Sequence, residues 1–263
     1  MSTGRRAVTA AALAMGLGGC GGAAMPGPAA GSAATGQDRL SGEVTVLAAA
    51  SLTASFTALG RRFEVAHPAT KVTFNFGPSS GLAAQITAGA PADVFASASQ
   101  TTMDSVVKAG AATNPAVFAK NSMEIAVPPA NPAKVDDLSD LAAPGVKVAL
   151  CQAQVPCGAT AAKVFANAGL AVTPVTEEVD VKAVLTKVRL GEVDAGVVYR
   201  TDVLAAGDKV TGVPIEAAVN AATTYPIATL AAAPNPAAAR AFTELVLSAA
   251  GVAELTRAGF GRP

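Results

Sequence analysis

Nucleophilic and basic side chains are few in this sequence, and their positions limit the chemistry that it can perform. The chain of 263 residues has three cysteines, Cys20, Cys151 and Cys157, and one histidine, His67. A cysteine nucleophile needs a base within hydrogen-bond reach, but His67 lies far from Cys157 in sequence and no second base stands out. The sequence contains no HExxH or P-loop pattern. We therefore expect a protein that is not an enzyme, that uses no cofactor and that coordinates no metal ion directly.

A second group of residues is suited to holding an anion. Each of them opens or precedes a predicted helix or ends a predicted strand: Ser51, Ser79, Cys157 with Gly158, Val181 and Tyr199. Helix N-termini present free N–H groups and the positive end of the helix dipole, and hydroxyl groups add further donors. The alternatives are structural: the two serines as helix N-caps, Val181 as a core residue and Tyr199 as a buried tyrosine with a satisfied hydroxyl.

The elements that position these residues alternate between strands and helices. Residues 43–48 and 71–76 have the pattern of buried strands, and Leu52, Phe56, Leu59 and Phe63 recur at helical spacing between them. The same criteria predict further strands at 93–96, 123–127, 146–150 and 195–199, and helices at 82–88, 158–168, 181–188, 236–247 and 251–258. Such alternation predicts an α/β fold with parallel sheets, in which ligands lie beyond the carboxyl ends of the strands.

Composition excludes several classes of protein. The 19 basic residues equal the 19 acidic ones, whereas a nucleic-acid-binding surface needs an excess of positive charge. Hydrophobic residues make up 51% of the chain, which argues against a disordered protein. No apolar run approaches the roughly 20 residues of a membrane-spanning helix. We expect a globular body of one large domain or two moderate ones, with no nucleic-acid partner.

The N-terminal residues have the layout of an export signal. Arg5 and Arg6 precede an uncharged run from Ala7 to Gly19, and small residues lead to Cys20. The sequence Leu-Gly-Gly-Cys resembles a bacterial lipobox, in which the cysteine receives a lipid and becomes the new N-terminus. The alternatives are an ordinary signal with an incidental cysteine and, with less support from the residues that follow, a twin-arginine signal. Residues 21–42 are rich in Gly, Ala, Pro and Ser and are predicted to form a flexible tether.

Several stretches resemble the periplasmic molybdate-binding proteins of ABC transporters. The resemblance runs from about Glu43 to Phe260, and its first and third stretches are long enough to be specific. The matching stretches are Val44–Thr53, Phe76–Ile86, Gly89–Ala98, Val155–Gly158, Val179–Lys182 and Gly196–Tyr199.

This resemblance implies a type II periplasmic-binding-protein fold, with two α/β lobes that are joined by two crossing segments and close on a ligand. The first crossing is expected near Ser122 to Ala126, and the return near Thr224 to Ile227. Lobe one would then comprise residues 43–124 and 225–263, and lobe two residues 125–224.

The resemblance also implies how a tetrahedral oxyanion is held. Ser51 and Ser79 would donate their hydroxyl and backbone N–H groups, Cys157 and Val181 their backbone N–H groups, and Tyr199 its phenol. A fully deprotonated dianion only accepts hydrogen bonds, so a site made of donors suits it. Molybdate and tungstate are nearly the same size and charge, so both are expected ligands. Protonated phosphate has an O–H group that needs an acceptor, and no carboxylate is expected beside the anion. Sulfate is a smaller tetrahedron, so the site would have to exclude it by size.

The partners that the resemblance implies are an ABC permease and its ATPase. The protein would be a monomer that is exported to the outer face of the cell membrane and touches that membrane through its lipid anchor alone. A receptor for another oxyanion, such as sulfate or phosphate, is the main alternative. A structural or adhesive surface lipoprotein is the third, and it would not be stabilised by a ligand.

Cys151 and Cys157 are expected to form a disulfide because exported proteins meet an oxidising environment. The family commonly has a small residue such as Ala at the position of Cys157. Cysteine is also small, so we still expect the backbone N–H of Cys157 to contact the anion. The alternative is a pair of buried thiols.

Overall fold

The computed structural model describes residues 40–263. The expected signal peptide, the lipidation site Cys20 and the expected tether up to residue 39 lie outside the described residues. No helix within the described part of the chain is both long and apolar enough to cross a membrane.

Strands and helices alternate along the described residues, as the sequence predicts. The strands are β1 Gly42–Ala49, β2 Thr70–Gly77, β3 Val94–Ala96, β4 Ala116–Val127, β5 Val148–Cys151, β6 Thr176–Glu178, β7 Ala195–Tyr199, β8 Thr211–Pro214 and β9 Ala222–Thr229. The helices are α1 Thr53–Ala66, α2 Ser79–Thr87, α3 Gln100–Lys108, α4 Pro156–Ala168, α5 Val181–Arg189, α6 Arg200–Ala206, α7 Pro236–Leu247 and α8 Ala249–Arg257. The predicted α/β class is confirmed.

The sheet is mixed, which corrects the expectation of purely parallel sheets. Its strand order is β2-β1-β3-β9-β4-β7-β5-β6, and β8 pairs with β4 beside this path. Strand β1 runs parallel to β2 and β3, and β5 runs parallel to β6 and β7. The pairings of β4 and β9 are antiparallel. Parallel βαβ units therefore lie on both sides of a central antiparallel pair.

Strand β4 passes from one half of the sheet to the other. Its first part, Ala116 to Ser122, pairs with β9, and its second part pairs with β7 and β8. The buried apolar residues separate in the same way. The first core comprises two clusters, one drawn from residues 44–119 and 225–260 and a smaller one drawn from residues 47–112 with Ala228 and Leu230. The second core draws on residues 123–215 together with Ala50.

Local sequence signals explain where most of the site-forming helices begin and end. Helix α4 begins with Pro156 and ends before Gly169, whose φ of 61° is left-handed. Helix α5 begins after Asp180, whose side chain accepts a hydrogen bond from the Ala183 N–H. Helix α2 begins at Ser79, three residues before the predicted start at residue 82.

Candidate anion-binding site

The residues predicted to bind an anion line one cavity between the two cores. Its wall consists of Ala49, Ala50, Ser51, Gly77, Pro78, Ser79, Ala98, Val155, Pro156, Cys157, Asp180, Val181 and Tyr199. The cavity has a volume of about 20 Å³, and about 10 to 15 Å³ by the same measure holds one water molecule. Pockets that bind organic ligands are typically about 300 to 1,000 Å³, so this cavity is small for an organic metabolite.

The hydroxyl groups of the two serines do not cap the helices beside them. Ser51 lies in a 3₁₀ turn before α1, and its Oγ is 2.9 Å from the Tyr225 hydroxyl. Ser79 opens α2, and its Oγ accepts a hydrogen bond of 3.0 Å from the Ala98 N–H. Neither α1 nor α2 has a side-chain cap at its N-terminus. The N-cap interpretation of these serines is therefore wrong.

Cys157 and Val181 bring helix N-termini to the cavity. Pro156 lacks an N–H group, so Cys157 carries the first backbone donor of α4. Val181 is the first residue of α5, and the Asp180 side chain takes up the Ala183 N–H rather than that of Val181. First-turn N–H groups have no partner within their own helix, so these two are suited to face an anion.

A disulfide joins Cys151 to Cys157 and closes the loop before α4, which confirms the predicted pairing. Gly158 follows directly, and a Cβ atom added to it would lie 2.0 Å from the backbone oxygen of Gln152. The loop and the first turn of α4 therefore pack too closely for a side chain at this position.

Tyr199 ends β7 and presents a buried hydroxyl group. The residue is 1% exposed, and among residues 40–263 its hydroxyl has no hydrogen-bond partner. Burial raises the pKa of Tyr199 well above its ordinary value, with smaller contributions from Tyr225 and Asp202. The phenol consequently keeps its proton at neutral pH and remains a donor.

Two carboxylates near the site had no signal in the sequence analysis. Asp180 is part of the cavity wall, which corrects the expectation that no carboxylate lies beside the anion. Asp202, on the first turn of α6, is fully buried, and Lys182 Nζ lies 2.6 Å from its Oδ1 in an ion pair. Burial raises the pKa of Asp202, and the Lys182 ammonium opposes that shift. The pair of Lys182 and Asp202 could not be inferred from spacing, because the two residues lie on different helices.

Residues 77–81 read Gly-Pro-Ser-Ser-Gly, which matches the GxSxG pattern of serine hydrolases. Like that pattern, they connect a strand to a helix, β2 to α2. The residues that line the cavity include no histidine, and the Ser79 hydroxyl is engaged with the Ala98 N–H. Ser79 therefore has no base that would make it a nucleophile.

The wall of the cavity offers hydrogen-bond donors but no positively charged side chain. Its residues include no Lys, Arg or His, and Asp180 is its single ionisable carboxylate. Hydroxyl groups and helix N-termini from both cores surround one small space. Two α/β cores that are joined by two strands and enclose such a space define a solute-binding protein of the two-lobed type.

Comparison with known proteins agrees with this class. Residues 44–261 match the family described as bacterial extracellular solute-binding protein. The molybdate-binding protein ModA of Mycobacterium tuberculosis is 44% identical over 221 residues, which are 84% of this chain and 85% of that protein. The protein of the same name from Escherichia coli is 33% identical over 175 residues, 62% of this chain and 68% of the relative.

Solved structures share the fold. The periplasmic molybdate-binding protein of Azotobacter vinelandii superposes with a TM-score of 0.74 at 22% identity, covering 84% of this chain and 99% of that one. The predicted periplasmic-binding-protein fold is thereby confirmed. The chain belongs to the bacterial extracellular solute-binding proteins and, within them, to the molybdate-binding protein family. Its relatives are binding proteins, which confirms the expectation that the chain is not an enzyme.

Proposed function

We propose that this protein is the extracytoplasmic receptor of a molybdate ABC transporter, and that it captures molybdate or tungstate and delivers it to the permease. The observation that carries the proposal is that all five predicted ligand residues line one small cavity. Membership of the molybdate-binding family supports the choice of anion.

In this proposal the anion lies between helix N-termini of the two cores. Ser51 and Ser79 donate from the first core, and Cys157, Val181 and Tyr199 donate from the second. A hydrogen bond to a charged group contributes about 1.5 to 3 kcal/mol. Several such bonds in a closed cavity account for tight binding without a neighbouring cation. Molybdate and tungstate differ little in size or charge, so the affinities for the two should be similar.

Phosphate is the second candidate ligand, and Asp180 is the observation that favours it. Hydrogen phosphate has an O–H group that needs an acceptor, and Asp180 is a carboxylate in the cavity wall. Its Oδ1, however, accepts from the Ala183 N–H at 2.9 Å. For a fully deprotonated dianion, Asp180 is a nearby like charge and offers no bond. The likeness to molybdate-binding proteins and the engagement of Asp180 Oδ1 nevertheless favour molybdate, so we expect it to bind more tightly than phosphate.

The test is a panel of anions added to the purified protein: molybdate, tungstate, sulfate and phosphate. An anion at about 100 times its Kd adds roughly 2.7 kcal/mol of stability, which corresponds to a rise in Tm of about 5 to 10 °C for a protein of this size. A rise with molybdate and tungstate alone supports the proposal. A rise with sulfate or phosphate instead would change the ligand, and no rise with any anion would refute the receptor function.

Serine variants test the proposed site directly by titration calorimetry. Ser51→Ala and Ser79→Ala should each weaken molybdate binding at least tenfold, because each removes a charge-assisted hydrogen bond. Ser55→Ala is the matched control, since Ser55 is also buried but its hydroxyl donates to the Leu52 carbonyl. Unchanged affinity in both site variants would reject these donors.

The proposal includes anchoring outside the cell. Residues 1–20 would be a lipoprotein signal, Cys20 would carry the lipid, and residues 21–42 would tether a monomeric body to the outer face of the cell membrane. Cys20→Ser should move the protein from the membrane fraction to the soluble exported fraction. A wild-type protein that is already found in the soluble fraction would refute the anchor.

We also propose that lobe one comprises residues 43–124 and 225–263, and lobe two residues 125–224. The separation of the two buried cores supports these bounds. The lobes would close on the anion by a change at the β4 and β9 crossings, and the closed form would then engage the permease and its ATPase.

A further inference from the structure

A second buried tyrosine, Tyr225, contacts Ser51, one of the residues of the candidate site. Tyr225 lies on β9, is fully buried, and its hydroxyl is 2.9 Å from Ser51 Oγ. Its ring packs edge-on against Tyr199, with ring centroids 6.1 Å apart. Tyr225 does not line the cavity and is separated from Ser51 by 174 residues of sequence. Any effect that it has on an anion must therefore pass through Ser51 or Tyr199.

The hydrogen bonds around Tyr225 determine which way its proton points. Asn121 Oδ1 accepts from the Ser122 N–H, so the other terminal atom of Asn121 is its NH₂ group. That Nδ2 lies 2.8 Å from Thr201 Oγ1 and 3.4 Å from the Tyr225 hydroxyl. An amide NH₂ can only donate, so the Tyr225 oxygen is the acceptor toward Asn121. Asn121 thus occupies one acceptor direction of the Tyr225 oxygen, which favours Tyr225 as the donor in its hydrogen bond with Ser51 Oγ.

The same polarity fixes the proton of Ser51. A serine hydroxyl has one proton, and an oxygen that accepts from Tyr225 keeps that proton for another partner. Ser51 is part of the cavity wall, where an oxyanion offers only acceptors. Burial raises the pKa of Tyr225, so the phenol holds its proton at neutral pH. The chain of donors thus runs from Asn121 through Tyr225 to Ser51 and ends at the cavity.

We propose that Tyr225 is a positioning residue for anion binding, which holds the Ser51 hydroxyl as a donor toward the cavity. The inference rests on the proposed function, since it requires an oxyanion as the acceptor. Asn121 and Tyr225 lie on the two crossing strands, β4 and β9, and Thr201 lies on α6 of the second core. The orientation of Ser51 is therefore set by the segments that join the two cores.

A double-mutant cycle tests this role with molybdate as the probe and titration calorimetry as the readout. Tyr225→Phe keeps the buried ring and removes the hydroxyl, and it should weaken binding about fivefold, as expected for one lost neutral hydrogen bond. Ser51→Ala should weaken binding at least tenfold. In the Ser51→Ala background, adding Tyr225→Phe should change the affinity by less than about twofold, because the positioned hydroxyl is already gone.

Thr229→Val is the control for removing a hydroxyl from β9. Thr229 lies on the same strand, and its Oγ1 is 3.4 Å from Thr243 Oγ1, away from the cavity. This variant should bind molybdate as the wild type does. A purely structural role of Tyr225 would weaken binding to the same extent whether or not the Ser51 hydroxyl is present.

The outcomes separate this inference from the proposed function. If the wild-type protein does not bind molybdate, the proposed function fails and the inference fails with it. If the wild type binds, but Tyr225→Phe has no effect or has the same effect in both backgrounds, the inference alone is overturned. It is also overturned if Ser51→Ala leaves the affinity unchanged. A loss that depends on Ser51 supports it.

Discussion

Removing the Tyr199 hydroxyl should raise the stability of the anion-free protein and weaken anion binding at the same time. The residue is 1% exposed, and its hydroxyl has no hydrogen-bond partner among residues 40–263. A buried polar group without a partner costs about 1 to 3 kcal/mol. Phenylalanine has the same shape without that group. We therefore expect Tyr199→Phe to increase the free energy of unfolding by about 1 kcal/mol in the absence of anion.

The effect on binding has the opposite sign because the anion would be the missing partner of the hydroxyl. A lost hydrogen bond to a charged acceptor costs about 1.5 to 3 kcal/mol. This corresponds to a Kd for molybdate that is about 10- to 150-fold higher. The raised pKa of Tyr199 ensures that the wild-type phenol is protonated at neutral pH. The loss should therefore be the same at pH 6 and pH 8.

Urea unfolding without anion measures the first effect, and titration calorimetry with molybdate measures the second. Tyr225→Phe is the matched comparison, since it removes a buried tyrosine hydroxyl that does have a partner, Ser51 Oγ. That variant should lose stability, whereas Tyr199→Phe should gain it. Reduced stability of Tyr199→Phe with unchanged affinity would refute the reasoning, since the hydroxyl would then serve the fold and not the anion.

Three further predictions concern the surroundings of the site. Gly158→Ala should destabilise the protein by about 1 to 3 kcal/mol in urea unfolding, because its Cβ would lie 2.0 Å from the Gln152 oxygen; wild-type stability would contradict the close packing. Replacing Cys151 and Cys157 together by Ala should cost roughly 2 kcal/mol, the value for closing so short a loop, and an unchanged urea midpoint would show that the bond contributes nothing. Burial raises the pKa of Asp202, so the folded state keeps this proton to a higher pH than the unfolded chain does. The free energy of unfolding of the wild type should therefore fall as the pH rises from the unfolded pKa through the raised pKa of the folded state. Asparagine at position 202 cannot ionise, so the unfolding free energy of Asp202→Asn relative to wild type should increase from about pH 4 toward neutral pH. If the difference in unfolding free energy between variant and wild type does not vary with pH, the burial of a titrating carboxylate is contradicted.

Much of the site could be predicted because its contacts come from local features of the chain. Ser79, Cys157 and Val181 each lie on the first turn of a helix, and such turns can be recognised from the neighbouring residues. Tyr199 ends a strand whose apolar run is also evident in the sequence. The ends of helices and strands can be predicted from local sequence, and the carboxyl ends of parallel strands lie at one edge of a sheet. The positions of such residues can therefore be predicted without knowledge of distant contacts.

The features that were missed depend on contacts between distant segments. The partner of Ser51 is Tyr225, and no spacing rule connects them. Local preference offered only a helix cap as the structural alternative for Ser51, whereas tertiary packing brings its hydroxyl to Tyr225. The mixed sheet was missed for the same reason, since antiparallel pairing of β4 with β9 depends on how the chain returns after the second core has formed.

The division of the sheet at β4 also bears on the order in which the two cores can form. Apart from Ala50, the second core uses the contiguous residues 123–215, so most of it can form before the C-terminal residues are available. The first core needs Phe242 from near the C-terminus, whose ring lies 6.0 Å from Phe56 and 5.6 Å from Phe63. Strands β1 to β3 can pair with one another early, but the first core stays incomplete until the C-terminal helices join it. The half of the cavity that contains Ser51 and Ser79 therefore rests on the core that is completed last.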